Sequence, residues 1–524
     1  MGFVKGYRTP AFFYVLLLLI AAGAFGVMLY ATAPGLGVSP DSVFYFAGAE
    51  SLRTGDGYSF PDGIGDPEPI THFPPFYSLL LAVLSLSGFS VMECARLLQA
   101  FLYAGSGVLL GVLLYRGTKQ DPLLSAAGTA LFLVIEDLVL FQTFLQTEGL
   151  YYFLTLLGIS LLVCTVQSRK WLFLILAAST AGLAFLTRYA GLANVVTGIA
   201  VIVLYSKGWR EKVRRGVVFS SIGGILPGLV FLWSSSRPGV VSYRGFFYHP
   251  LRLVELKASL DDIAIWLLPG RLLGTWIQWA ILAALFVLTG FLFIRAAILL
   301  ARGKILSQNA DWAISGFFIL FYFGLLLSTV LFVDAQAGLG SRLLSPLFAP
   351  ILLFFLGSGR SITVWKSIRL SHLLLVVLLP VIVFNSVHTL NFVQKSHTGS
   401  RKEYNGKSWQ QAEIIHWLDN LPEGTPVYSN GNDAVYFVSR RPCARLPYKY
   451  SPFTLQDNPD YEAQMEEMEE VLKQGGVVLY FPAIKWRGYL VSLEELQERF
   501  ELQILFENES GPIFGLVEQG GVDP

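Results

Sequence analysis

The sequence predicts a polytopic α-helical membrane protein of about 11 transmembrane helices with a C-terminal soluble α/β domain. Three observations lead there. Only 14% of the 524 residues are charged and 54% are hydrophobic, whereas a soluble globular chain carries about 25% charged residues. The mean hydropathy is +0.55, and eleven apolar runs approach or exceed the ~20 residues that cross a bilayer. The charge also breaks sharply along the chain. Residues 1–394 hold 26 Lys+Arg against 17 Asp+Glu, and residues 395–524 hold 12 against 20, so the formal net charge of +1 is the sum of +9 and −8. That break separates a membrane part, 1–394, from a soluble part, 395–524. An ordinary soluble enzyme is excluded, and no nucleic acid is expected as a partner.

The apolar runs lie at about 11–31, 94–115, 122–140, 149–167, 171–187, 190–206, 216–233, 276–298, 312–333, 343–358 and 372–392. Lys5 and Arg8 precede the first, and Ala31-Thr32-Ala33 follows it like a signal-peptidase site. The run is nevertheless longer than the about 7–15 apolar residues of a signal peptide, so it reads as a retained first helix. The run 171–187 is marginal in length and ends at Arg188. The stretch 76–88 is too short to cross and reads as an interfacial or re-entrant segment.

Cytoplasmic loops are enriched in Lys and Arg. With the N-terminus inside, 17 of the 26 cations of the membrane part fall in inner segments, among them Arg116, Arg169, Lys170, the Lys207–Arg215 cluster, Arg302 and Arg360. Only Asp121, Glu211 and Asp311 accompany them; the other 14 carboxylates fall outside or at outer helix ends. The N-terminus is therefore expected in the cytoplasm and the tail outside it, in the plasma membrane of a prokaryote. The outer face receives the long segments: a first loop, about 32–75, a middle loop, about 234–275, and the tail.

The tail reads as alternating helices and strands. Helices are expected at about 408–420, 433–439, 461–474 and 492–500, the last opened by Ser492 with Glu495 three residues on. Strands are expected at about 425–429, 477–481, 502–506 and 513–517. The alternation suggests a doubly wound sheet. No Gly-rich phosphate loop and no metal-ligand spacing occurs in it, so no catalytic role is assigned to the tail. The three cysteines, Cys94, Cys164 and Cys443, give no disulfide framework.

The chemistry concentrates in the outer loops. Ser39-Pro40-Asp41-Ser42-Val43-Phe44-Tyr45 opens a helix expected to be amphipathic, followed by Gly55-Asp56-Gly57-Tyr58 and by Thr71-His72-Phe73-Pro74-Pro75-Phe76-Tyr77. A carboxylate at the membrane surface suits a general base acting on a hydroxyl; Asp41 is equally an ordinary first-turn residue of a helix. Glu148 opens a span, where an ionisable side chain is a functional candidate as well as a favourable partner of the helix dipole. Glu136 and Asp137, earlier in the chain near the end of a span, are placed to share its site. Arg188 and Arg342 stand at outer helix ends. There they suit an anionic phosphate, or simply the lipid headgroups. Asp56, Asp62, Asp66 and Glu68 crowd the first loop, a solvated acidic stretch or the ligands of a divalent ion. No metal and no other cofactor is predicted. His249, among the aromatics of Phe246-Phe247-Tyr248-His249-Pro250, lines an outer groove or anchors at the interface.

This pattern resembles the GT-C glycosyltransferase superfamily, in its protein O-mannosyltransferase and aminoarabinose-transferase-like branch. The likeness rests on Asp41 with Tyr45, the Gly-x-Gly-Tyr turn ending at Tyr58, and the Pro-Pro-x-Tyr of 74–77. It extends to Thr147-Glu148-Gly149-Leu150, Thr187-Arg188-Tyr189-Ala190-Gly191 and Gly340-Ser341-Arg342-Leu343-Leu344-Ser345-Pro346. It covers residues 1–392 in layout and some 50 positions in recognisable motif. The resemblance implies a sugar moved, with inversion, from a polyprenyl-phosphate donor to an acceptor hydroxyl on the outer face. It makes Asp41 the general base and Glu148 a second catalytic carboxylate, and it puts His72, Arg188, Arg342, Tyr45 and Tyr58 at the donor phosphate and sugar. Relatives often carry Lys directly before Pro-Pro, where this chain departs from the pattern with Phe73. The expected partners are a polyprenyl-phosphate-linked sugar, membrane lipid and an unidentified acceptor (protein, lipid or glycan).

Two other readings fit a polytopic chain. A transporter or flippase usually carries internal repeats and midplane polar residues; neither halves nor midplane show them here. An oligosaccharide ligase using lipid diphosphate donors shares the topology in outline.

Overall fold

The structure, a computed structural model, describes residues 10–236, 246–267, 275–302, 309–334, 337–360, 362–365, 368–399 and 402–517. Lys5 and Arg8 of the N-terminal flank and parts of the middle loop, 237–245 and 268–274, lie outside the described residues.

The membrane part opens with α1 (Pro10–Ala31), followed in the first loop by α2 (Pro40–Thr54), the strand pair β1 (Ser59–Phe60) and β2 (Glu68–Pro69), and α3 (Phe76–Ser85). Next come α4 (Val91–Gly117), α5 (Pro122–Val134), α6 (Glu136–Gln142), α7 (Glu148–Ser168), α8 (Trp171–Thr187), α9 (Leu192–Tyr205) and α10 (Trp209–Ser235). The middle loop holds α11 (Leu253–Leu267). It leads to α12 (Thr275–Ala301), α13 (Ala310–Phe332), α14 (Ser341–Leu344), α15 (Phe348–Gly359) and, after the short hairpin β3 (Thr363–Trp365) and β4 (Ile368–Arg369), α16 (Leu370–His397).

Each expected span falls on helix, but not all are of crossing length. Among the described residues eight helices are long and apolar enough to cross a membrane, or nine with α5 and α6 taken as one bent span; the 171–187 and 190–206 segments are shorter apolar helices. They are cut short because Arg188 turns the backbone extended, at φ −149° and ψ 137°, and a 3-10 turn, Tyr189–Gly191, follows. The 122–140 run bends by 60° at Ile135. A helix broken inside apolar surroundings must find partners for its freed carbonyls. The Tyr103 hydroxyl donates to Leu133 O, and Thr389 donates to Val134 O at 2.7 Å.

The ion pairs sort the two ends of the bundle. Arg116–Asp311, Arg169–Glu211, Arg215–Glu211 and Arg360–Asp121 each join two residues assigned to inner segments. Asp41, Glu148, Arg188 and Arg342, all assigned to the outer end, join one another.

The helix beginning near Asp41 is not half-exposed as an amphipathic loop helix would be. Residues Ser42–Ala49 of α2 are buried without interruption, because α3 covers one flank and the tail another. Gly55 ends α2 at φ +95°, a left-handed turn that glycine adopts freely.

The tail carries α17 (Lys407–Gln410), α18 (Glu413–His416), β5 (Val427–Ser429), α19 (Asn432–Ser439), β6 (Ala444–Arg445), α20 (Tyr461–Lys473), β7 (Val477–Leu479), α21 (Leu493–Arg499), β8 (Leu502–Asn508) and β9 (Gly511–Leu516). The helix expected at 408–420 is instead two single turns and a 3-10 turn. The sheet order is β6-β5-β7-β9-β8. β5 pairs parallel with β6 and β7, but β9 is antiparallel to both β7 and β8. The doubly wound expectation is thus corrected to a mixed sheet: Glu509-Ser510 is too short a link for a crossover, and only a hairpin can close it. Both faces are covered. Val427, Val477, Leu479 and Ile513 enter one apolar cluster, while Tyr428, Val478 and Phe514 enter the other. The Ser492–Glu495 capping box opens α21 as expected.

Candidate active site

The site grows from a short extended segment, Gly37–Ser39. On one side Gly37 N–H donates to Thr143 O (2.9 Å) and Leu145 N–H donates to Gly37 O (3.0 Å). On the other, Val38 N–H donates to Lys402 O (3.1 Å) and Tyr404 N–H donates to Val38 O (3.0 Å). Three stretches remote in sequence thereby lie side by side. One leads into α2 and Asp41, one into α7 and Glu148, and the third is the first stretch of the tail after α16. Buried amides hold the joint. Gln99 Nε2 donates to Phe144 O at 3.1 Å and Gln146 O at 2.6 Å, and Gln146 Nε2 donates to Ser39 Oγ at 3.0 Å. Ser39 N–H donates to Ser42 Oγ (3.0 Å) and Pro40 supplies the first helical residue, which starts α2 with Asp41 in its first turn.

Arg342 connects the carboxylates. Its Nη1 donates to Asp41 Oδ2 at 2.6 Å and its Nε donates to Glu148 Oε1. Arg188 Nη1 donates to the same Glu148 Oε1 and, at 3.1 Å, to Thr147 Oγ1. The result is a chain Asp41–Arg342–Glu148–Arg188. Its exposure is graded: the Glu148 side chain is 1% exposed and that of Arg188 15%, against 32% for Arg342 and 35% for Asp41. Glu148 Oε2 is buried without a hydrogen-bond partner.

Arg342 is itself held from behind. Ser341 N–H donates to Asp262 Oδ2 at 2.9 Å, Ser341 Oγ donates to Asp137 Oδ2, and Trp266 Nε1 donates to Asp137 Oδ2 at 2.9 Å. Asp137 thus reaches the site through Ser341, the residue before Arg342. Arg188 is fixed by the tight turn after α8. A Cβ on Gly191 would strike the backbone of Ala184 and Phe185, and Tyr151 Oη donates to Ala190 O at 3.1 Å.

Tyr45 lies one turn along α2 from Asp41, buried, with its ring 4.8 Å from Phe73 and 5.6 Å from Tyr77. Burial and then the Asp41 charge push its hydroxyl pKa up, so it stays a neutral donor. Tyr58 packs its ring on Gly48, where no Cβ fits, and its hydroxyl points at Pro74 O, 3.5 Å away. His72 stands in an aromatic wall, 4.6 Å from Phe44 and 4.3 Å from Phe73. The structure therefore gathers Asp41, Tyr45, Glu148, Arg188 and Arg342, with Tyr58 and His72 in the aromatic wall beside Tyr45. His249 is elsewhere: its N–H bonds Leu331 O at the end of α13. Three of the acidic loop residues have separate partners, with Asp62 still near enough to act on the charge of Glu68. Asp56 accepts from Thr54, Asp62 caps Ile64 N–H, and Glu68 lies beside Arg445 of the tail. Among the described residues no three His, Cys, Asp or Glu side chains form a group able to hold a metal ion.

Two features escaped the sequence reading. The glutamines 99 and 146 are uncharged amides inside or beside apolar runs, a signal that was present. Lys402-Glu403-Tyr404, a polar triplet a few residues past the last span, also sits at the site. Glu403 lies opposite Val38 in a parallel bridge, close enough for Asp41 and Arg342 to act on its charge.

Two solved structures share this architecture over nearly its whole length. ArnT from Cupriavidus metallidurans bound to undecaprenyl phosphate is 14% identical with a TM-score of 0.58, over 97% of this chain and 98% of that one. The same ArnT in the apo state is 14% identical with a TM-score of 0.56, over 97% and 99%. At that identity the likeness is one of fold: the chain shares the fold of these ArnT structures. No family model and no curated protein matches the sequence.

Proposed function

We propose that this GT-C-fold chain is an integral-membrane glycosyltransferase that moves a sugar from a polyprenyl-phosphate donor to an acceptor hydroxyl on the extracytoplasmic face. The observation that carries the reading is the Asp41–Arg342–Glu148–Arg188 chain at the outer end of the bundle. It combines what such a transfer needs: a partly exposed carboxylate and two guanidiniums within reach of the membrane surface. The fold shared with an ArnT that binds undecaprenyl phosphate supports the choice of donor. The excess of cations in the inner segments supports a cytoplasmic N-terminus and an extracytoplasmic tail in a prokaryotic plasma membrane.

In this mechanism Asp41 takes the proton of the acceptor hydroxyl. The hydroxyl oxygen attacks the anomeric carbon from the face opposite the phosphate, the sugar–phosphate bond breaks, and the configuration inverts. Polyprenyl phosphate departs with the electron pair, and its negative charge is stabilised by Arg342 and Arg188. Glu148, fully buried, holds both guanidiniums in place between turnovers. When the donor phosphate arrives, Arg342 exchanges Asp41 for the phosphate, which frees the Asp41 carboxylate to act as base. Tyr45 supplies a neutral hydroxyl toward the sugar, and Tyr58, whose hydroxyl faces Pro74 O, lines the aromatic edge with His72 and Phe73.

The test is release of polyprenyl phosphate by the purified full chain from a panel of polyprenyl-phosphate-linked sugars, with Asp41→Asn in parallel. The expected result is turnover that falls at least 100-fold in Asp41→Asn. Unchanged turnover in that variant overturns the base assignment.

A further inference from the structure

The tail carries no phosphate loop and no metal-ligand pattern, yet its first stretch after α16 is part of the site. Lys402, Glu403 and Tyr404 run parallel to Val38, three residues before Asp41. The turn that presents them is clamped from all sides. Asn405 Nδ2 donates to Leu36 O at 2.7 Å, Lys402 Nζ reaches Ala31 O at 3.3 Å, and Gly406 N–H donates to Glu403 O at 2.7 Å. Behind it, Tyr404 Oη meets Asp433 Oδ2 at 3.3 Å, and Asp433 is paired with Arg487 at 2.6 Å, both buried in the tail.

Within this clamp Glu403 behaves unlike its neighbours. Lys402 and Tyr404 are buried, whereas Glu403 is exposed. Its φ is +45°, a left-handed conformation that a residue with a side chain adopts only when its surroundings enforce it. Among the described residues no hydrogen bond or ion pair engages its carboxylate. Although the residue has surface open to solvent, partial desolvation of its carboxyl, followed by the charge of Asp41, raises the carboxyl pKa, and Arg342 opposes this. The backbone thus spends strain on holding beside Asp41 an exposed carboxylate that no described residue engages. From Asp41 the chain of Arg342, Glu148 and Arg188 leads the other way, into the buried interior.

We propose that Glu403 belongs to the acceptor half of the site: a residue supplied by the C-terminal domain that hydrogen-bonds the incoming acceptor and orients its hydroxyl toward Asp41. The inference rests on the glycosyltransferase reading above and deepens it. An acceptor that offers at least two hydroxyl or amino groups on neighbouring carbons fits a pair of carboxylates, one for the reacting group and one for its neighbour. Glu403 has no part in binding the polyprenyl phosphate.

The experiment compares wild type, Glu403→Gln, Glu403→Asp and Arg342→Ala, each as the full chain in lipid nanodiscs. Binding of undecaprenyl phosphate is measured alongside transfer from polyprenyl-phosphate-linked sugars to glycolipid acceptors. The expected result for Glu403→Gln is undecaprenyl phosphate affinity within twofold of wild type, a donor KM unchanged, and an acceptor KM raised at least tenfold. Glu403→Asp recovers part of that loss, and Arg342→Ala loses undecaprenyl phosphate affinity instead. An unchanged acceptor KM in Glu403→Gln overturns the inference, and so does a loss of undecaprenyl phosphate binding in that variant. A wild type that binds no undecaprenyl phosphate and releases none from any donor overturns the glycosyltransferase reading itself, a different failure from either of these.

Discussion

Arg342 and Asp41 are 301 positions apart in the chain, yet Nη1 of one lies 2.6 Å from Oδ2 of the other. The same guanidinium holds Glu148 through Nε. One side chain therefore joins the first outer loop, the start of α7 and the start of α14. Replacing it should affect more than one element. Arg342→Ala leaves Asp41 unpaired and Glu148 with Arg188 alone. Turnover is expected to fall at least 100-fold. Arg342→Lys should recover little of it, because a single ammonium cannot serve two carboxylates in a planar fork. Steady-state kinetics on the two purified variants check this; near-wild-type turnover in Arg342→Lys would contradict the two-armed role.

Asp41 and Glu148 should separate stability from activity. The Glu148 side chain is 1% exposed and pairs with two guanidiniums. Removing one member of a buried ionic group costs about 3–5 kcal/mol, so Glu148→Ala is expected to lower the unfolding temperature markedly. Asp41 is about one-third exposed, and an exposed pair contributes roughly 0–1 kcal/mol. Asp41→Asn should therefore melt like wild type while losing turnover. Thermal melts beside activity measurements decide the matter; equal melting losses in both variants would refute the distinction.

The contacts behind Arg342 make α11 a support of the site. Trp266 Nε1 donates to Asp137 and to Ser341 Oγ at 3.0 Å. Trp266→Phe keeps an aromatic ring and deletes that donor. The expected outcome is a donor KM raised about tenfold, equivalent to ~1.4 kcal/mol, with the acceptor KM unchanged. Asp262→Asn should act in the same direction. A fall in kcat alone, with both KM values untouched, would point to a different role for this loop.

Lys402 gives the junction a pH dependence. Burial, and then the nearby Arg96, lower its pKa from 10.5 to about 8. Below pH 8 the ammonium is charged in both folded and unfolded chains, and the folded state bears the full cost of burying it. Between about 8 and 10.5 the folded chain has released the proton and the unfolded chain has not, so stability from this group rises with pH. The difference in melting temperature between wild type and Lys402→Met should shift in favour of wild type across that window. A difference constant from pH 7 to pH 10 would refute the buried ammonium.

Gly191 sets the turn that delivers Arg188. A methyl group there meets the Ala184 carbonyl and the Phe185 nitrogen, backbone atoms that cannot rotate away. Gly191→Ala is expected to displace Arg188 from Glu148 and to lower both stability and donor affinity. Retained affinity with lowered stability would show that the turn serves packing alone.

The layout of this protein was largely legible because hydropathy and charge are local properties. A long apolar run can satisfy its backbone groups in lipid by forming a helix, so apolar runs announce helices directly, and the charge step near residue 394 falls at the end of α16. Asp41, Glu148, Arg188 and Arg342 were visible as rare ionisable groups at helix ends. The single-turn pieces at 407–416 and the antiparallel edge of the tail sheet were not legible, since sheet neighbours and packing, rather than periodicity, decide them.

By itself the sequence determined which apolar segments are helical and which charged residues stand at their ends. Only the tertiary structure decided how those residues pair: that one oxygen of Glu148 holds two arginines, that Asp137 acts through Ser341, and that Glu403 of the tail lies beside Asp41. The reason is physical. Hydropathy and helix-start signals act within a few residues, whereas an ion pair such as Asp41–Arg342 forms only when packing brings distant backbone segments within hydrogen-bond reach. Gly37–Ser39, bonded to 143–145 on one side and to 402–404 on the other, is where that happens.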